Sequence, residues 1–251
     1  MSHLKIIDGT YLKLLAAALM LVDHIGAILF PEVLVLRIIG RLSFPIFAFM
    51  ISEGAKYTKN KLRYFLIMFS VGVICQIAFY IAYEGLTMCI LITFSASVLL
   101  IYAMQHFKRC LFSDRCHLWM TVFALLIFAL GVFAMAVLNY HPFFKNTLGI
   151  TFDAGFSGCL APVFASLPDF RGIDAPISVK KFDILPARLL CFALALISLI
   201  PINSIQWVSL FALIPLFMYS EKRGRFSLKY FFYVFYPLHL GALWLVYMLI
   251  R

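Results

Sequence analysis

The chain is a series of apolar runs about twenty residues long, separated by short polar turns. This spacing admits few folds. Nine runs can be drawn: Tyr11 to Phe30, Leu34 to Ser52, Tyr64 to Tyr83, Leu86 to Met104, Leu118 to Leu138, Leu148 to Leu167, Ala187 to Ile202, Ile205 to Ser220 and Tyr230 to Ile250. About twenty helical residues cross a hydrocarbon core about 30 Å thick. A soluble domain interrupts its apolar residues far more often. The chain is 64% hydrophobic and 13% charged, with a mean hydropathy of +1.01. In lipid every backbone polar group must find its partner within the protein, and helices do this segment by segment. The expected fold is therefore all-α, a polytopic membrane bundle of about nine transmembrane helices forming a single domain over residues 1–251.

A net charge of +10 could suggest nucleic acid, but its distribution excludes this reading. The basic residues fall in every second loop and form no face with interleaved exposed aromatics. With the N-terminus in the cytoplasm, all 21 Lys and Arg lie at inner segments except Lys145 and Arg251 outside and Arg37 and Arg41 within the second span. That is the positive-inside pattern. Joining the seventh and eighth runs into one kinked helix would give eight spans and move the basic residues after Glu221 outside, so nine fits better. The basic start and apolar first run resemble a signal peptide. The run holds Asp23-His24 and has no small-residue cleavage site, so an uncleaved signal anchor is expected. The one sizeable loop, Pro168 to Pro186, carries mixed charge and reads as a solvated connection.

Six cysteines lie scattered with no CxxC pair and no zinc-ligand spacing, so no metal is expected. The chain also lacks a Walker loop, HExxH and GxSxG. It shows no transporter-like internal repeat.

Asp23-His24 is the unusual feature of the first span, because ionisable residues in a span usually face a partner or a cavity. From Lys13 to His24 is about 16 Å along the axis and almost three whole turns, so the two share a face. Counting outward from the turn at Pro31-Glu32 places Asp23 level with Arg41. These two are expected to pair, with Arg37 as an alternate partner. Asp23 then does not orient His24. In the last span His239 lies about 15 Å beyond Lys229, at the depth of His24. Asp153 enters the sixth span from outside. The two histidines, the arginine pair and a carboxylate are thus expected to converge. A structural role is open for each: an ion-pair cluster for Asp23, Arg37 and Arg41, and a carbonyl bond near Tyr236-Pro237 for His239.

Several blocks resemble the TraX family of membrane acetyltransferases, named for the F-pilin acetylase. They are Leu21-Val22-Asp23-His24-Ile25-Gly26, the stretch from Leu36-Arg37 through Gly40-Arg41-Leu42-Ser43-Phe44-Pro45 to Phe49, then Glu53-Gly54, Tyr57-Thr58 and Asn60, and finally Lys229 to Tyr233 with Phe235-Tyr236-Pro237-Leu238-His239. Phe152-Asp153-Ala154-Gly155 is similar to the family's Asp-aromatic-Gly step, with Ala154 in place of the aromatic residue. Lys13 and His24 also fit the basic residue, ten positions and histidine of the wider transmembrane acyltransferases.

The resemblance implies transfer of an acetyl group from cytosolic acetyl-CoA, as co-substrate, to an acceptor amine or hydroxyl across a bacterial inner membrane. That acceptor would be a protein N-terminus such as pilin, or a surface glycan. On this view His24 is the general base, with Asp23, Arg37, Arg41 and His239 completing the catalytic group. Lys13, Lys56, Lys59, Arg63, Lys222, Arg223 and Arg225 are candidates for the CoA phosphates. Ser43, Glu53 and Asp153 are candidates for the substrate pocket. The alternatives are a proton-coupled secondary transporter with Asp23, His24, Arg41 and His239 as its relay, and an assembly protein without chemistry. The charge map makes one prediction directly. In a cysteine-free variant, a cysteine placed at Glu32 is labelled by an impermeant maleimide in intact cells and one at Lys59 is not; the opposite pattern overturns the orientation.

Overall fold

A computed structural model describes residues 5–83, 87–113, 116–202, 204–224 and 230–250. The fold is helical. In order the helices are α1 (Gly9–Ile28), α2 (Leu34–Gly40), α3 (Ser43–Tyr57), α4 (Lys61–Tyr83), α5 (Ile90–Leu111), α6 (Leu118–Tyr140), α7 (Gly155–Ala165), α8 (Ile177–Lys180), α9 (Leu185–Ile197), α10 (Leu213–Phe217) and α11 (Phe231–Ile250). Among the described residues six helical stretches are long and apolar enough to cross a membrane, with α2 and α3 together forming one of them. The protein is a multi-pass helical membrane protein. Three shorter apolar helices, Gly155–Ala165, Leu185–Ile197 and Ile205–Phe217, occupy the sixth, seventh and eighth runs.

Those three runs are less regular than expected from their composition. The sixth opens with two extended residues: β2 (Thr151–Phe152) pairs in parallel with β1 (Thr87–Met88). The helix begins only at Gly155, where the chain turns at φ 63. The eighth is largely a 3-10 helix, Ser204–Ala212, before α10.

The chain divides into two compact units, Met1–Met50 with Leu196–Arg251, and Ile51–Ala195. In the first, the Asp8 carboxylate caps α1 by accepting from the backbone N–H groups of Thr10 and Tyr11. The strand-like entry before α1 is bound to the segment after α10. Ile7 bridges to Tyr219, Gly9 N donates to Lys222 O at 2.9 Å, and Thr10 Oγ1 donates to Arg223 O at 3.0 Å. Lys5 pairs with Glu221 at 3.0 Å. The start of α1 and the chain after α10 therefore share one end of this unit. From there α1 and α11 rise side by side in the same direction: the Lys13 ammonium lies over the Phe232 ring, and further along both helices His24 meets His239.

The second unit has a core of Leu100, Ile101 and Met104 from α5, Met135 from α6, and Cys159 and Val163 from α7. On α6, large side chains such as Leu118, Phe123, Leu130 and Phe133 are exposed, as expected of a lipid-facing helix.

The C-terminus of α7 is the electrostatic centre of this unit. A helix end leaves carbonyls without intrahelical partners, and here cations supply them. Lys108 Nζ donates to Ser166 O, Leu167 O and Asp169 O at 3.2, 2.6 and 3.2 Å. Arg188 Nε donates to Ala165 O at 3.2 Å and its Nη2 to Ser52 Oγ at 3.3 Å. The Ser166 hydroxyl donates to Pro162 O, so Ser52 must donate to Ser166 across their 2.9 Å contact. Arg188 is fully buried and pairs with buried Glu53. One turn beyond Glu53 on α3, Lys56 pairs with Asp183 at 2.8 Å and Asp169 at 3.7 Å.

This corrects the sequence analysis in two places. The 168–186 loop is not a simple solvated connection, since Asp169 is buried and bonded to Gln105 at 3.3 Å. Glu53 and Arg188, read as pocket and inner-loop charges, are partners inside the fold. Removing one member of a buried pair strands the other, at about 3–5 kcal/mol. Glu53→Ala or Arg188→Ala is therefore expected to lower the thermal unfolding temperature in detergent sharply, with the double variant less affected than the two singles combined. Additive losses would overturn the pairing.

Candidate functional site

The polar residues of the first unit gather along α1. Beyond Lys13, α1 is apolar except for the adjacent Asp23 and His24. Helices α1 and α2 pack closely enough at Asp23 that a Cβ on Gly40 would lie 2.2 Å from the Asp23 Cβ. Only glycine tolerates that approach.

With the backbones in contact, the arginines on either side of Gly40 reach back to one carboxylate. Arg37 Nη1 donates to Asp23 Oδ2 at 2.8 Å and to Asp23 O at 3.2 Å. Arg41 Nη2 lies 3.9 Å from Oδ1. The expected order of partners is reversed, because Gly40 rather than Arg41 is level with Asp23. Arg41 sits where α2 ends, in the turn before α3, while Arg37 is still on the regular helix one turn away.

The histidines meet as the depth count anticipated. His239 Nε2 and His24 Nδ1 are 2.9 Å apart. His239 is buried and His24 half-buried. His239 Nδ1 is 2.7 Å from Phe235 O, and the Phe235 ring stacks on its imidazole with centroids 4.8 Å apart. The carbonyl bond foreseen for His239 is therefore present, although the partner is its own i−4 carbonyl. Arg37 and Arg41 are electrostatic neighbours of the His24 ring. Phe235 was not singled out in the sequence; its i−4 spacing to His239 was the available signal.

The other expected site residues divide between the two units. Ser43 is buried and donates to Ala16 O at 2.8 Å, so its hydroxyl serves the contact between α1 and α3. Lys222 and Arg223 are exposed, and Arg225 lies outside the described residues. Glu53, Lys56, Lys59, Arg63 and Asp153 belong to the second unit. There Lys56 is held by its two aspartates, while Lys59 and Arg63 are exposed. Asp153 is exposed beside the β1–β2 pair, its N–H donating to Met88 O at 3.2 Å. Arg171, read in the sequence as part of the mixed-charge loop, is exposed with its guanidinium 4.4 Å from the Tyr57 ring centre. Cys89, between α4 and α5, is buried and its Sγ donates to Gly72 O at 3.4 Å, which suits a structural cysteine. Among the described residues no group of three or more His, Cys, Asp or Glu is placed to hold a metal.

Residues 8–145 match the TraX protein family profile. The chain belongs to the TraX family. The matched stretch contains Asp23, His24, Arg37, Arg41 and the Glu53 region, and ends before the helix that supplies His239. An uncharacterised protein of Rickettsia prowazekii (strain Madrid E) is 34% identical over 137 residues, which are 51% of this chain and 53% of the relative. The chain thus spans about half the length of the curated relative it matches. No solved structure matches.

For this TraX family member the contact between α1 and α2 is the part most directly open to test. Gly40→Ala must separate the helices or displace Asp23, and overpacking of this kind costs roughly 1–3 kcal/mol. It is expected to lower the unfolding temperature, whereas Gly241→Ala, with open space around its Cβ, is not. Equal behaviour of the two variants would overturn the packing argument.

Proposed function

We propose that this protein is a membrane-embedded acetyltransferase that moves an acetyl group from cytosolic acetyl-CoA to an acceptor amine or hydroxyl at the outer side. The observation that carries this is the His24–His239 contact at 2.9 Å, set beside two guanidiniums that share one carboxylate inside the span. A histidine held by a second ring and flanked by fixed cations suits general-base catalysis with oxyanion stabilisation. Family membership supports a pilin-modifying chemistry.

In this mechanism the acceptor nitrogen or oxygen attacks the thioester carbonyl and its proton passes to His24. Arg41, with the longer contact to Asp23, meets the developing oxyanion, while Arg37 stays bound to that carboxylate. As the new C–N or C–O bond completes, the C–S bond breaks. The proton then leaves His24 for the CoA thiolate, so the products are the acetylated acceptor and CoA thiol. Lys13, Lys222, Arg223 and Arg225 are the first unit's candidates for the CoA phosphates, and Lys59 and Arg63 of the second unit are the alternative set. The protein acts in the bacterial inner membrane, with its N-terminus cytoplasmic.

Nine crossings fit this arrangement. The parallel course of α1 and α11 supports an odd number, and the shared end of the first unit, where the chain before α1 meets the chain after α10, supports an even number between those two points. The six long stretches and three shorter apolar helices together supply nine.

The test is purified protein in nanodiscs with labelled acetyl-CoA and an acceptor peptide. Transfer is expected, with His24→Ala reducing it by at least about 100-fold while the fold, followed by thermal unfolding, is retained. Full activity in His24→Ala, or proton-driven solute flux with no acetyl transfer, would sink this function in favour of the transporter.

A further inference from the structure

The hydrogen bonds around the two histidines have a direction. A carbonyl oxygen only accepts, so His239 Nδ1, 2.7 Å from Phe235 O, carries a proton. His239 is 6% exposed, and among the described residues no carboxylate forms an ion pair with it, so the neutral ring is the favoured form. A neutral ring protonated at Nδ1 has its lone pair on Nε2. The 2.9 Å contact from that nitrogen to His24 Nδ1 holds a single proton, which belongs to His24. His24 then keeps its own lone pair on Nε2, the nitrogen turned away from His239.

We propose that His239 is the positioning residue of the site: anchored by the Phe235 carbonyl, it holds His24 in the Nδ1–H tautomer and so makes His24 Nε2 the base. The inference rests on the acetyltransferase reading for its catalytic consequence, while the tautomer itself does not. Serine hydrolases give this orienting role to an aspartate. Here the adjacent aspartate is unavailable, because Asp23 is bound by Arg37 and Arg41. A neutral imidazole is the substitute, and the Phe235 carbonyl fixes which of its nitrogens accepts. When His24 takes the acceptor's proton on Nε2, its Nδ1–H still donates to His239, so the site need not rearrange between proton uptake and release.

The experiment is 15N NMR of ring-labelled histidine in the full-length protein in nanodiscs, with His3, His106, His117 and His141 replaced so that only the pair reports. Both rings are expected to show a protonated Nδ1 and an unprotonated Nε2. In His239→Ala, His24 is expected to move toward the Nε2–H form that dominates in water, and kcat for acetyl transfer to fall roughly 10- to 100-fold with KM little changed. His239→Gln sets an amide oxygen near the position of Nε2 and is expected to restore both the tautomer and most of kcat, whereas His239→Leu, which fills the space without accepting, restores neither. Thermal unfolding of each variant separates loss of position from loss of fold. An Nε2–H tautomer at His24 in the parent, or one unchanged in His239→Ala, overturns the proposal whatever the activity. The expected tautomers without acetyl transfer would uphold the hydrogen-bond chain and reject the chemistry assigned to it.

Discussion

Lipid offers no partner to a charged or polar side chain, so each such group in a membrane span must find its partner within the protein. Most of what is specific in this structure follows from that constraint. Asp23 is tolerated inside α1 because Arg37 and Arg41 converge on it, and they can converge because Gly40 lets the two backbones touch. His239 is tolerated in α11 because one ring nitrogen meets a carbonyl of its own helix and the other meets His24. Neither arrangement is a property of one helix alone.

The same constraint works differently in the second unit. There the groups needing partners are backbone carbonyls at the end of α7, and Lys108 and Arg188 provide them from α5 and α9. Glu53, Asp169 and Asp183 balance the cations, with Lys56 between the last two. Charge and hydrogen bonding both close within this set. That closure marks it as part of the scaffold, since a ligand would have to displace a satisfied bond to enter. The pair along α1 is less closed: His24 is half-buried and keeps a ring nitrogen outside its contact with His239.

The two clusters show why residue type alone separates function from structure poorly in this chain. Lys56 and Lys59 are three positions apart in one basic segment and carry the same expected role. One is fixed by two carboxylates and the other is exposed. Arg188 follows the basic residues Lys180 and Lys181 in the sequence yet has no solvent exposure. Their partners come from segments more than a hundred residues away, a distance over which periodicity carries no information.

The sequence by itself determined the helical membrane class and that His24 and His239 lie at one level, because apolar run length and a rise of about 1.5 Å per residue are local quantities; the family was legible in the motif blocks around Asp23-His24 and Arg37 to Phe49. The sequence could not decide the face or the partner of each polar group. Arg37 rather than Arg41 makes the closer bond to Asp23 because α2 stops at Gly40, and a straight-helix count overshoots by one residue. The sixth run contains only a short helix because Thr151-Phe152 finds a strand partner in Thr87-Met88 before Gly155 turns the chain. The proton order along Phe235, His239 and His24 also needed the fold. Which nitrogen donates depends on which atom faces it, and that is settled only when α1 and α11 lie together.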